Sequence, residues 1–175
     1  SADFRTWTIR LQPGTLFADD PAFGGRPREL IAQDYAYTWK RFYDPANKSA
    51  LASAFVEEGV LGLNALRDAA LKTGKPFDYD AEVEGLRVLD RHTLQFRFEQ
   101  PRPRFLLTLA DSGVIGAVAR EVVEYYGDKI MAHPVGTGPF RLASWRRSSL
   151  IVLERNPQYR EVFFDAQPDD DDAAG

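Results

Sequence analysis

The chain has 175 residues, 44% of them apolar and 13% aromatic, enough for one domain with a core or for one domain and part of another. Its net charge is −4, but Asp165, Asp169, Asp170, Asp171 and Asp172 fall in the last eleven residues. Without them the charge is +1, far from the basic excess that a nucleic-acid surface requires. With no cysteine, disulfide frameworks, Cys-ligated zinc and thiol catalysis drop out together, and no apolar run approaches the roughly 20 residues of a membrane helix.

"WTIRLQPG" sets Trp7, Ile9 and Leu11 against Thr8, Arg10 and Gln12 and stops at Pro13-Gly14, the pattern of a strand and turn. Residues 17–30, dense in Asp, Pro and Gly, form a loop. "IAQDYAYTWKRFYDP" follows with helical spacing until Asp44-Pro45. Asp34 suits the first turn of that helix, but Ile31 stands where a capping hydroxyl is expected. Its five aromatics (Tyr35, Tyr37, Trp39, Phe42, Tyr43) surround the helix, so some belong to the core and the rest are available for a binding face.

"KSALASAF" predicts a short helix and "EEGVLGLNALRDAALKTG" a longer one, with Leu63, Leu66 and Ala70 inward and Gly74 at its end. Two alternating runs, Leu86 to Leu89 and Leu94 to Phe98, flank a polar turn and predict a hairpin with Leu94, Phe96 and Phe98 on one face. "FLLTLA" reads as a short buried helix and "AREVVEYYGDKI" as another, ending at Gly127. Strands "FRLASW" and "LIVLER" close the ordered part, joined by a turn at Arg146 to Ser149. The tail over 161–175 lacks apolar periodicity and reads as solvated. The fold class is therefore mixed, α/β or α+β.

Chemistry is sparse. "PVGTGPF" has the glycines of a phosphate cradle but feeds a strand, lacks the lysine, and includes Pro139, which has no N–H to offer. His92 and His133 are read as solvent-facing loop residues with no acidic partner at ligand spacing, so neither metal nor cofactor is expected. The carboxylates (Asp19, Asp20, Glu57, Glu58, Asp78, Asp80, Glu82, Glu84) cluster in polar stretches and supply no acid–base pair in an apolar setting. Neither "KSALAS" nor "RRSSL" resembles a nucleophile elbow. No catalytic constellation emerges, and the chain is expected not to be an enzyme.

Four segments in order resemble the peptide/nickel/oligopeptide-binding family of bacterial ABC-importer solute-binding proteins: "WTIRLQPGTLFADD", "IAQDYAYTWKRFYDP", "VLDRHTLQFRFEQPRPRFLLTLA", and "HPVGTGPFRLASW" with "LIVLERNPQYR". The loop "DDPAFGGRPREL" is longer than usual in that family, Ile31 replaces its threonine cap, and Arg160 stands where tryptophan is common. The resemblance implies part of the first lobe of a two-lobed periplasmic-binding-protein-like fold. On that basis residues 1–33 and 134–160 belong to the larger lobe, 34–133 to a subdomain inserted in it, and 161–175 to a disordered acidic tail. "PVGTGP" is then the return crossing, its glycines allowing unusual φ and close backbone approach, its role mainly structural. Gly136, Thr137, Gly138 and Phe140 are the residues expected nearest a ligand.

The implied function is capture of a peptide or similar small solute between lobes and delivery to membrane permease subunits, by a periplasmic or lipid-anchored protein that is monomeric at full length. The alternative keeps the fold in a ligand-sensing domain of a signalling or regulatory protein. The resemblance also implies that the chain lacks the beginning of the first lobe and all of the second, so that it supplies one wall of the cleft.

Overall fold

The computed structural model describes residues 1–110 and 115–162. Strand β1 (Thr6–Arg10) lies antiparallel to β3 (Thr93–Arg97), which hairpins back to β2 (Leu86–Asp90), giving the order β1-β3-β2. Trp7 sits opposite Phe96 and Ile9 opposite Leu94, while Leu86 faces Phe96 from the other side, so one sheet face is apolar throughout. Helix α1 (Ala32–Tyr43) covers that face. Its Trp39 is fully buried and meets Phe55 and Phe96 edge-on, each at 4.8 Å between centroids, with Phe105 behind. Four of the five aromatics of α1 serve this core: Trp39 and Tyr43 are buried in it, and Tyr35 and Phe42 pack against it from its edge, while Tyr37, also buried, pairs instead with Tyr79 at 5.0 Å.

Both sheets among the described residues are antiparallel, so of the two fold classes open from sequence the α+β one describes their strand arrangement. Three expectations change. The longer helix does not begin at Glu57; α2 (Ala52–Glu58) ends at Gly59, and α3 (Leu63–Thr73) begins after Gly62, both glycines having left-handed φ. Gly74 does end α3, with its N–H on the Ala70 carbonyl at 2.9 Å. Helix α4 (Phe105–Ala110) buries only Phe105, leaving Leu106 49% and Leu107 69% exposed. The sheet also crosses the boundary expected at 33/34, because β1 pairs with β3 and shares its core. Most of the acidic tail lies outside the described residues.

Helix α5 (Arg120–Tyr126) packs Val122 with Ala119, Phe17 and Leu30 into a second, smaller cluster. Ile31 makes no side-chain cap on α1. Asp34 compensates from the third helical position, its carboxylate accepting from the Ile31 N–H at 2.9 Å.

His92 is a correction. Its Nε2 lies 3.0 Å from Glu29, whose carboxylate also accepts from the Gly14 amide at 2.7 Å and from Arg91 at 2.7 Å. The Gly14 bond first, then Arg91 and His92, draw the Glu29 carboxyl down to about 2 from an ordinary 4.5. A carboxyl depressed in the folded state stabilises above its unfolded pKa, and that contribution fades as pH falls toward the folded value. The difference in urea midpoint between wild type and Glu29→Gln should thus be largest above pH 4.5 and close progressively toward pH 2. A difference that does not change across that window would detach Glu29 from this network.

Candidate ligand-facing crossing and hairpin

After α5 the chain runs through a 3-10 turn over Gly127–Ala132 and the crossing at 133–139 into a second, two-stranded sheet, β4 (Phe140–Arg146) with β5 (Leu150–Arg155). His133 is no free loop residue either, since its ring stacks on Tyr126 at 3.9 Å and 5°, and the Tyr126 hydroxyl donates to Asp20 at 2.9 Å. Beyond it, the Gly136 carbonyl accepts from Ala18 N–H at 2.8 Å.

Asn156 closes the base of the hairpin. Only 1% exposed, it donates its backbone N–H to Pro139 O and its side-chain amide to Gly138 O, both at 2.8 Å, and accepts from Gln158 N–H at 3.0 Å. Sequence reading took "NP" only as the end of a strand and so missed this residue; the signal available was its place in the resembling segment "RNPQYR". Asn156→Ala leaves the half-buried Gly138 carbonyl without its side-chain donor, which costs about 1 kcal/mol, the low end for an unpaired buried group. Thermal unfolding should show the loss, and amide exchange should locate it at 138–140 and 156–158 rather than in the first sheet.

The cross-strand register sorts the hairpin side chains. Leu142 faces Leu153 and Trp145 faces Ile151, with a bulge at Ala143 keeping both pairs on one face alongside Phe140. That face is apolar yet open: Phe140 is 64% and Ile151 60% exposed. With Pro134 and Gly136 it lines a groove of about 420 Å³. A polar cleft of about 310 Å³ lies between Ala18, Asp19 and Asp20 on one side and Arg141, Ala143 and Glu154 on the other. Of the four expected ligand-proximal residues, Gly136 and Phe140 share the apolar groove; Thr137 and Gly138 are half-buried and do not line it.

The glycine rationale also needs correction. Neither Gly136 nor Gly138 has a positive φ, and a Cβ on either would meet no described atom within 4 Å. This conformation demands glycine at neither position.

A larger groove, about 830 Å³, lies elsewhere, between α1, residues 79–84 and β2. Lys40 closes one side of it, donating to the carbonyls of Tyr79 at 2.7 Å and Ala81 at 2.8 Å. Burial lowers the pKa of that ammonium against the attraction of Asp80 and Asp78. Its bonds hold the loop in place and put no reactive pair in the groove. Among the described residues no group of three His, Asp or Glu side chains could hold a metal, and no helix is long and apolar enough to cross a membrane.

The family model for bacterial extracellular solute-binding proteins, family 5 Middle, matches residues 1–173. The chain belongs to that family. It is 34% identical over 159 residues to the periplasmic oligopeptide-binding protein OppA of Salmonella typhimurium, covering 90% of this chain and 26% of that protein. It is 35% identical over 171 residues to the probable D,D-dipeptide-binding periplasmic protein DdpA of Escherichia coli, covering 90% and 33%. Among solved structures, the substrate-binding domain of a Bacillus anthracis oligopeptide ABC transporter superposes with a TM-score of 0.71 at 25% identity, over 91% of this chain and 28% of that one. The E. coli murein tripeptide binding protein MppA gives the same TM-score, identity and coverage. The chain thus spans about a quarter to a third of the relatives it matches, and its fold is a portion of their two-lobed fold.

Proposed function

We propose that this chain is a segment of a peptide-binding protein serving an ABC importer in the periplasm, where it forms one wall of a cleft closed by a second lobe. The carrying observation is the family match across residues 1–173, joined to relatives whose names specify oligopeptides and dipeptides. The hairpin supports it physically. A two-stranded sheet exposing Phe140, Trp145, Ile151 and Leu153 is suited to burial under further polypeptide rather than to permanent solvent exposure. In this reading β1, which pairs with β3, goes with residues 34–133, and the crossing leads on to strands of the larger lobe. Gly136, Thr137, Gly138 and Phe140 stand near the ligand side of the crossing in this reading. Permease subunits are the membrane partner, and the full-length protein is a monomer.

Native mass spectrometry decides it, run with an equimolar set of di- to pentapeptides on this chain and on a longer protein that contains it. Stoichiometric peptide on the longer protein and none on this chain is the expected result. Stoichiometric peptide on this chain alone would overturn the two-wall reading and place the site within these 175 residues.

A further inference from the structure

We infer that residues 136–138 are a hinge about which the β4–β5 hairpin swings against the rest of the chain, opening and closing the polar cleft beside Asp19. The motion lies within one lobe, between two parts of this chain, and so is separate from closure of one lobe on another. The first observation is the pair of glycines just described. Gly85 is required by its surroundings, since a Cβ there would lie 2.3 Å from the Leu61 amide nitrogen; Gly136 and Gly138 face open space with ordinary φ. Glycine carries an entropic cost wherever the chain is ordered, and here the resting conformation offers nothing in return. What glycine supplies at such a position is access to other φ/ψ values, which is what a hinge must absorb.

The second observation is how the segment is bounded. Pro134 and Pro139 fix φ on either side. Val135 is anchored in the cluster of Phe17 and Val122, and His133 on the Tyr126 ring. On the far side, Asn156 binds Gly138 O and Pro139 O and makes the hairpin base a rigid piece. No strand of the hairpin pairs with the first sheet. Among the described residues two hydrogen bonds span the joint, Ala18 N–H to Gly136 O at 2.8 Å and Gln158 Nε2 to Asp19 Oδ1 at 3.0 Å. The second is solvent-exposed, while the first starts at the buried Ala18 and is the one bond that each resting state must re-form.

The third is the charge across the cleft. Asp19 and Asp20 face Arg141, which is held by Glu154 at 2.7 Å on the hairpin side. Closing the joint brings the two aspartates toward that guanidinium, so the closed population should fall as salt screens the attraction.

The chain has no cysteine, so two introduced thiols give unique spin labels. We would label Ser149→Cys at the hairpin turn with Lys72→Cys on α3, and Thr8→Cys with Lys72→Cys as the pair within one unit, and measure distances by double electron–electron resonance. A wider distribution for the hairpin pair than for the internal pair is expected. The double variant Gly136→Ala/Gly138→Ala, which places neither Cβ in contact, should narrow it by roughly half while leaving the internal pair and the melting temperature unchanged. A hairpin distribution as narrow as the internal one in the wild type overturns the proposal. So does an unaltered width in the alanine variant, which would put the motion elsewhere.

Discussion

Arg28→Met should destabilise the fold by about 3–5 kcal/mol at neutral pH, because it strands a buried carboxylate. The Arg28 guanidinium meets Asp34 at 2.7 and 3.0 Å and Glu121 at 2.5 and 3.3 Å, while lying 5.7 Å over the Phe17 ring. Asp34 is 3% exposed. One guanidinium shared by two carboxylates cannot fully offset that burial, and burial leaves the Asp34 carboxyl above its ordinary pKa even with Arg28 in place. Without Arg28 it rises further. A carboxyl raised in the folded state binds protons more tightly than in the unfolded chain, so its penalty grows as pH rises through the folded pKa and is absent below the unfolded one. Urea midpoints of the variant should therefore approach those of the wild type on acidification toward pH 4, whereas the Glu29→Gln difference closes at lower pH, toward the depressed pKa of Glu29. Adding Asp34→Asn, which keeps an acceptor for the Ile31 N–H, should restore much of the loss. A change within about 0.5 kcal/mol for Arg28→Met alone would mean the cluster behaves as a solvated surface bridge.

This cluster shows where sequence reading stops. Alternation and helical spacing report which face of an element is apolar, and they located the edges of β1, β3, α1, β4 and β5 to within a residue or two. They located part of the aromatic core as well, since the buried Phe96 and Phe98 lie with Leu94 on one predicted face of the hairpin, whereas the aromatics around α1 were not sorted into inward and outward ones. Contacts between distant segments leave no periodic trace. Nothing in "GRPREL" announces that Arg28 reaches Glu121, 93 residues on. The two histidines were misplaced for the same reason, their partners Glu29 and Tyr126 being remote in sequence or hidden by a turn.

The break between α2 and α3 had a visible signal in Gly59 and Gly62, but isolated glycines within an apolar-periodic stretch do not say whether they interrupt it. At the crossing the order of motifs named the family, while the residue holding the joint, Asn156, owes its burial to the loop folding back on it. What could not be read was the unpartnered state of the hairpin face, because side chains that face outward here have the same alternation as side chains in a core.

Glycine itself carries the same ambiguity, and Gly85→Ala resolves it at the other extreme from the crossing. Gly85 donates its N–H to Leu61 O at 2.8 Å and accepts from Arg97 N–H at 2.9 Å, while Leu61 N–H donates to Arg97 O at 3.0 Å. Three backbone segments meet there, the α2–α3 link, the start of β2 and the end of β3. A Cβ at 85 would lie 2.3 Å from Leu61 N, 2.5 Å from Leu61 O and 2.7 Å from Arg97 O. None of these atoms can rotate away as a side chain would, so the segments must part and strain or lose the bonds that join them. Overpacking and the weakened bonds together should cost about 3–5 kcal/mol. That is a large share of the roughly 5–15 kcal/mol by which a domain is stable, and a marked fall in melting temperature should follow. Amide exchange should place the damage at Leu61, Gly85 and Arg97, with the β4–β5 amides unaffected. Gly138→Ala in the same assay should stay within about 0.5 kcal/mol of wild type, as its Cβ enters open space. If the two substitutions cost the same, the three-way junction does not exist as described. If they differ as expected, identical residues serve opposite ends, one fixing the core of the packed unit and the other leaving the crossing free to move.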